Sequence, residues 1–158
     1  MILSVNTGDV KVGRQKTVLK ASAIGSCIVV VAYDKVRRFG GMAHVMLPGC
    51  APDKKKNRGT RYAQDAIDAL LKRLKRLGSS TDDLAVCLVG AGNVLKSPED
   101  TVCQSNIDSV LDIIKKKGLN IVSQDMGGQV RRSATLDISE GKLYCAQGDE
   151  PVSLLWRY

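Results

Sequence analysis

A mixed β-sheet with helices packed on one side is the fold class this sequence predicts. Three observations predict it. Many short apolar or alternating runs are divided by turn residues, only two segments carry a helical period, and several runs lie close enough to form hairpins. No segment repeats at a period of about 20–50 residues, and no Pro/Ser-rich linker divides the chain. Residues 1–158 therefore read as one domain.

The elements follow in order. Residues 16–22 alternate as a half-buried strand does. Residues 28–32 are an apolar, β-branched run after Gly25-Ser26, the pattern of a buried strand. A polar turn around Asp34 to Arg38 leads to a strand over 41–47. Residues 48–59 hold Pro, Gly, Asp and Asn with a charge run, and read as an exposed, mobile loop. The spacing of Ala63, Ala66, Ile67, Leu70, Leu71, Leu74 and Leu77 predicts an amphipathic helix over 61–77, capped by Gly78. Residues 85–89 form another buried strand. Ile107, Val110, Leu111 and Ile114 mark a second helix ending at Gly118, with Ser105 and Asp108 as a capping box at its start. Short strands are predicted over 119–123, 133–138, 142–145 and 152–156.

Composition excludes several classes. The chain is 44% hydrophobic and 25% charged, a globular balance. The longest uncharged apolar stretch runs only from Ala21 to Tyr33, short of the roughly 20 residues a membrane helix needs. The first residues lack the basic start and small-residue cleavage site of a signal peptide, so the expected location is cytoplasmic. The five cysteines form no Cys-x-x-Cys, and the single histidine limits any His/Cys metal site to one nitrogen ligand. Reduced thiols are the simplest reading, four of them buried as small hydrophobes.

The 24 Lys+Arg exceed the 16 Asp+Glu, for a net charge of +8. Positive charge collects at Lys54-Lys55-Lys56 with Arg58 and Arg61, at Lys72-Arg73 with Lys75-Arg76, at Lys115-Lys116-Lys117, and at Arg131-Arg132. A solvated surface, an acidic partner and nucleic acid all accommodate such runs. Against nucleic acid, the few aromatic residues do not interleave with the basic runs, and no zinc-finger or RNA-binding signature is present. Two of the runs fall near helix C-termini, where cations complement the dipole.

One pair of residues carries chemistry. Cys27 opens the strand after Gly25-Ser26, and His44, the only histidine, lies in the next strand. A turn centred near residues 35–36 would set Cys27 directly opposite His44, on one face of the sheet. An imidazole beside a thiol can take its proton and make the sulfur a nucleophile. The Gly25-Ser26 segment would leave backbone N–H groups beside the thiol for an oxyanion hole.

These segments resemble a known family. Gly25-Ser26-Cys27 before an apolar strand, and Gly41-Met42-Ala43-His44-Val45-Met46-Leu47-Pro48, are similar to the nucleophile and histidine segments of CheD, the chemoreceptor glutamine deamidases of chemotaxis. Arg61-Tyr62-Ala63, Gly90-Ala91-Gly92-Asn93, Asn106, and Asp125 with Gly127-Gly128 and Arg132 follow in the same order. The resemblance implies a three-layer α/β/β sandwich of mixed sheets and two main helices, like that of cysteine-hydrolase toxins. It implies hydrolysis of glutamine side chains of methyl-accepting chemoreceptors to glutamate and ammonia, through a Cys27 thioester with His44 as base. It implies no cofactor or metal, no membrane insertion, and a CheC-type phosphatase as partner. Asn93, Arg132 and Arg61 are the expected substrate contacts, and the basic rim from Lys54 to Arg61 would face a receptor helical bundle rather than nucleic acid.

The sequence also departs from the family. The family threonine six positions before the cysteine is Ala21 here, which cannot orient an imidazole. Ser22 would need a bulge to swing in, leaving Ser26, Ser22 and Gly25 as the candidate orienting or oxyanion groups. Gln64, Ser105 and Cys103 also differ from the usual residues. The alternative reading is a weakly active or inactive homologue that binds the CheC phosphatase or the receptor.

Overall fold

The structure is a computed structural model that describes residues 1–53 and 59–158. Its strands are β1 (Ile2–Ser4), β2 (Val10–Gly13), β3 (Val18–Ile24), β4 (Ile28–Asp34), β5 (Phe39–Val45), β6 (Leu84–Gly90), β7 (Asn120–Met126), β8 (Arg132–Asp137), β9 (Lys142–Gln147) and β10 (Ser153–Arg157). The helices are α1 (Ala63–Leu77) and α2 (Val102–Lys116). The strands divide into two five-stranded sheets. The central sheet has the order β2-β5-β4-β6-β7, and the outer sheet β1-β3-β8-β9-β10.

The layering follows from alternation along β4. Ile28, Val30 and Ala32 join α1 and α2 in one apolar cluster through Ile67, Leu70, Val110 and Ile114. Val29, Val31 and Tyr33 point the other way, against Leu19, Ile24, Leu136 and Ile138 of the outer sheet. Every residue of β4 is buried, because both faces of the central sheet are covered. The result is a three-layer α/β/β sandwich with mixed sheets and two main helices. The single sheet expected from strand counting is thus two, and the family-level expectation is the one that holds. Two glycines of β5 let the layers approach. A Cβ on Gly41 would meet Leu70 at 2.5 Å, and one on Gly40 would meet Leu136 at 2.8 Å.

Local signals explain the helix ends. Gly78 closes α1 in the left-handed conformation at φ 108. Its N–H bonds the Lys75 carbonyl and that of Ser79 the Leu74 carbonyl, the paired bonds of a Schellman motif. Arg61, expected to begin α1, instead ends a separate short 3-10 turn over Gly59–Arg61, and α1 starts at Ala63. The capping box at Ser105 is corrected. α2 begins at Val102, whose N–H is accepted by Asp100 Oδ1 at 2.9 Å, so Ser105 lies inside the helix. β1 and β2 are additions to the expected strands.

The hairpin register also differs from expectation. Asp34 pairs with Phe39 and Val29 with His44, so Cys27 does not stand directly opposite His44. The buried Asp34 carboxylate accepts from the Val36 and Arg37 amides, both at 2.9 Å, which fixes a four-residue loop with Arg38 at φ 56. The turn centre moves by one residue and the pairing by two. A slip of two preserves the face, so Cys27 and His44 remain on the same side. The basic residues Lys54, Lys55, Lys56 and Arg58 of the expected rim lie outside the described residues, as does the middle of the expected 48–59 loop. No described helix is long and apolar enough to cross a membrane.

Candidate active site

Cys27 lies between β3 and β4, half-buried against the inter-sheet core. The backbone around it is held by its carbonyls. Cys27 O accepts from Ala91 N–H at 2.7 Å and Gly25 O from Gly92 N–H at 2.9 Å. The side-chain amide of Asn106 on α2 donates to Ser26 O at 2.9 Å and to Met46 O at 3.1 Å. Asn106 therefore ties the thiol loop to the end of β5. Gly90, at φ 127, is required here because a Cβ would sit 2.3 Å from Cys27 O. Burial pushes the Cys27 thiol up from its ordinary value, and a hydrogen bond from Thr7 acts in the opposite direction.

His44 is 2% exposed. Its Nδ1 lies 3.0 Å from the carbonyl of Val5. A carbonyl only accepts, so Nδ1 carries the proton and Nε2 presents a lone pair. Nε2 is buried and has no hydrogen-bond partner among the described residues. Burial also pulls the His44 pKa down, against the Val5 hydrogen bond and the charge of Asp9. At neutral pH the resting pair is a protonated thiol and a neutral imidazole. Cys27 lies two residues before Val29, the partner of His44, a diagonal relation that spans about 7–8 Å between Cα atoms where a sheet is regular.

Ala21 is fully buried and faces the inter-sheet core without a hydroxyl. A bulge does interrupt β3 between Ala21 and Ile24, with Ala23 at φ 52, but Ser22 stays exposed and neither ring nitrogen bonds it. The Val5 carbonyl holds the imidazole instead. Ser26 is half-buried with its carbonyl engaged by Asn106, and Gly25 is half-buried beside Val94.

The three expected substrate contacts lie in different settings. Asn93 bonds Ser97 twice, donating to its carbonyl at 2.8 Å and accepting from its amide at 3.2 Å. Half-buried Arg61 lays its side chain along Gly8, and its carbonyl accepts from the Met46 and Leu47 amides. Arg132 is 6% exposed. Its guanidinium donates to the carbonyls of Gly127, Val130 and Gly90 and pairs with Asp125 at 3.1 Å. It thereby clamps the β6 and β7 ends that support the Cys27 loop.

Sequence reasoning missed Val5, which acts through a carbonyl that no side-chain pattern marks. Among the cysteines, Cys87, Cys103 and Cys145 are buried, but Cys50 is exposed, against the expectation of four buried thiols. All five are free.

Fold and site together define a three-layer α+β protein with a half-buried thiol, Cys27, and a buried imidazole, His44, on the inter-sheet face of its central sheet. Comparison with known proteins narrows that class. The family model described as CheD chemotactic sensory transduction matches residues 46–147. A Chlorobium luteolum protein named "Probable chemoreceptor glutamine deamidase CheD" is 36% identical over 152 residues, covering 96% of this chain and 76% of that protein. A Methanococcus maripaludis protein of the same name is 36% identical over 152 residues, covering 95% and 97%. One from Pyrococcus abyssi is 31% identical over 144 residues, covering 89% and 88%. The chain belongs to the CheD family.

Proposed function

We propose that this protein hydrolyses glutamine side chains of methyl-accepting chemoreceptors to glutamate, in the cytoplasm, with Cys27 as nucleophile and His44 as general base and acid. The observation that carries the reading is the state of His44. Its tautomer is fixed by Val5, and its buried Nε2 lone pair is unclaimed on the face it shares with Cys27. Relatives that match nearly the whole chain are named as chemoreceptor glutamine deamidases, which supports the substrate class.

The steps follow. A glutamine side chain enters between thiol and imidazole, and the pair tightens around it, as hydrogen bonds of unliganded sites commonly do. Nε2 takes the thiol proton while sulfur attacks the carboxamide carbon. The new oxyanion meets the amides of Ser26 and Cys27. His44 returns the proton to the departing nitrogen, and ammonia leaves a γ-glutamyl thioester on Cys27. Nε2 then deprotonates water, which attacks the thioester, and glutamate and free thiol result. Arg61 and Asn93 are the proposed substrate contacts; the clamp role of Arg132 is indirect.

Ala21 favours a second reading, a weakly active homologue that binds a CheC-type phosphatase or the receptor. The Val5 carbonyl argues for activity, because it supplies the orientation that the missing hydroxyl would have given. Peptide mass spectrometry of a receptor cytoplasmic fragment separates the two. Each conversion adds about 1 Da with the wild-type protein and none with Cys27→Ala, if the nucleophile is covalent. Binding without any mass change would establish the second reading.

A further inference from the structure

Asn106 is fully buried on the inward face of α2, where Val110, Ile113 and Ile114 pack on the central sheet. An amide there has a cost. Its Oδ1 has no hydrogen-bond partner among the described residues, and an unmatched buried acceptor is destabilising. Its Nδ2 donates twice, to Ser26 O at 2.9 Å and to Met46 O at 3.1 Å. Both acceptors are carbonyls, which fixes the nitrogen end of the amide.

These carbonyls stand at a particular place. The β4–β5 ladder ends at the pair of Ile28 with Val45. Ser26 and Met46 lie just past that rung, and the amide bridges the opening between them. The neighbouring carbonyls are held from the end of β6: Gly25 O accepts from Gly92 N–H at 2.9 Å and Cys27 O from Ala91 N–H at 2.7 Å. Three successive carbonyls are thus fixed. Each fixes the N–H of the next residue as well, because C=O and N–H of a trans peptide point in opposite directions. Asn106 reaches in from the helix layer, whereas Cys27 packs on the inter-sheet side. A Ser26 carbonyl turned toward α2 therefore turns the Cys27 N–H toward the face of the sulfur.

We propose that Asn106 is a positioning residue for the deamidation: it holds the Ser26–Cys27 peptide against the end of β5, aims the Cys27 N–H at the oxyanion and keeps the nucleophile in register with His44. The role rests on the reading of Cys27 as nucleophile. An oxyanion donor acts only if it already stands where charge develops. A peptide free to rotate loses that contribution even with sulfur and imidazole intact. Asn106 is buried behind the loop, so its loss should spare substrate binding and act on the chemical step.

The test combines steady-state kinetics on a receptor fragment with hydrogen exchange of the free protein. Asn106→Ala should lower kcat about a hundredfold, the scale for losing one oxyanion donor or misplacing a reacting group by about 1 Å, with KM within about twofold. Val110→Ala, on the same buried face of α2, removes packing without touching the loop. It should melt earlier than the wild type and keep kcat and KM, which separates positioning from support of the fold. Asn106→Asp keeps the side-chain shape and, neutral because burial disfavours its charge, retains one of the two donors. Its kcat should fall between those of the wild type and Asn106→Ala, and it carries the comparison if the alanine variant does not fold. Exchange at the Ala91 and Gly92 amides, which bond the loop carbonyls, needs no substrate. It should be about tenfold faster in the Asn106 variants than in Val110→Ala, as expected of a local opening. Asn106 variants within about threefold of the wild-type kcat, an equal kcat loss in Val110→Ala, or unchanged exchange would overturn the assignment. Failure of the wild type to deamidate receptor fragments would overturn the functional reading, and the exchange comparison would still decide whether Asn106 holds the loop.

Discussion

Exchanging His44 for asparagine should lower kcat/KM for receptor deamidation by about a thousandfold, within the range for loss of a general acid–base group. Asparagine keeps a side-chain N–H where Nδ1–H meets Val5 O, but it has no nitrogen lone pair at the position of Nε2. The fold should survive, because the hydrogen bonds from His44 N–H to Asp9 O and from Gly8 N–H to His44 O are backbone bonds. The pH profile adds a second readout. Burial lowers the His44 pKa, so the wild-type acid limb should lie below the ordinary histidine value of about 6.5. His44→Asn should lose that limb. Steady-state kinetics from acid to neutral pH, with a thermal melt of both proteins, measures these effects. A variant within tenfold of wild type would remove His44 from the chemistry.

Arg132→Met should give the largest stability loss, about 3–5 kcal/mol. The side chain is 6% exposed and donates to three carbonyls while pairing with Asp125. Methionine fills much of the same space. It leaves the Gly90, Gly127 and Val130 carbonyls without that donor, and Asp125 without its cation. In the native protein burial raises the Asp125 pKa, but hydrogen bonds from Gln147 and Arg132 more than offset it and hold the carboxyl below its ordinary value. That contribution is present above the unfolded carboxylate pKa of about 3.9 and is lost as pH falls through the lower folded value. The deficit of Arg132→Met should therefore be full at neutral pH and shrink in acid. Urea unfolding at neutral pH and near pH 3 checks it. Unchanged stability at neutral pH would mean that the clamp is dispensable.

Much of this architecture is legible in the sequence. The stripe from Ala63 to Leu77 and the cap at Gly78 predict α1 closely, and the apolar runs at 28–32 and 85–89 locate β4 and β6. What local pattern cannot show is pairing over distance. β1 and β2 are short edge strands defined by β3 and β5, and the two-sheet division depends on where β8 to β10 return. The hairpin register was off by two because the Asp34 side chain, not the polarity of the loop, sets the turn. The same limit applies to the site. Cys27 and His44 stand out as side chains, whereas the Val5 carbonyl becomes part of the site only when residues 5–9 are laid against β5. Arg132 reads as part of a basic run with Arg131 and, through the resemblance, as a substrate contact, yet strand alternation turns it inward to a structural clamp and leaves Arg131 exposed to pair with Asp149.

The thioester on Cys27 is the central claim, and hydroxylamine tests it most directly. Hydroxylamine competes with water for an acyl-enzyme and yields a γ-glutamyl hydroxamate. With wild-type protein and a receptor fragment in excess hydroxylamine, the modified glutamines should gain about 16 Da rather than about 1 Da, and Cys27→Ala should yield neither product. Glutamate alone in excess hydroxylamine, or equal product from Cys27→Ala, would contradict the account.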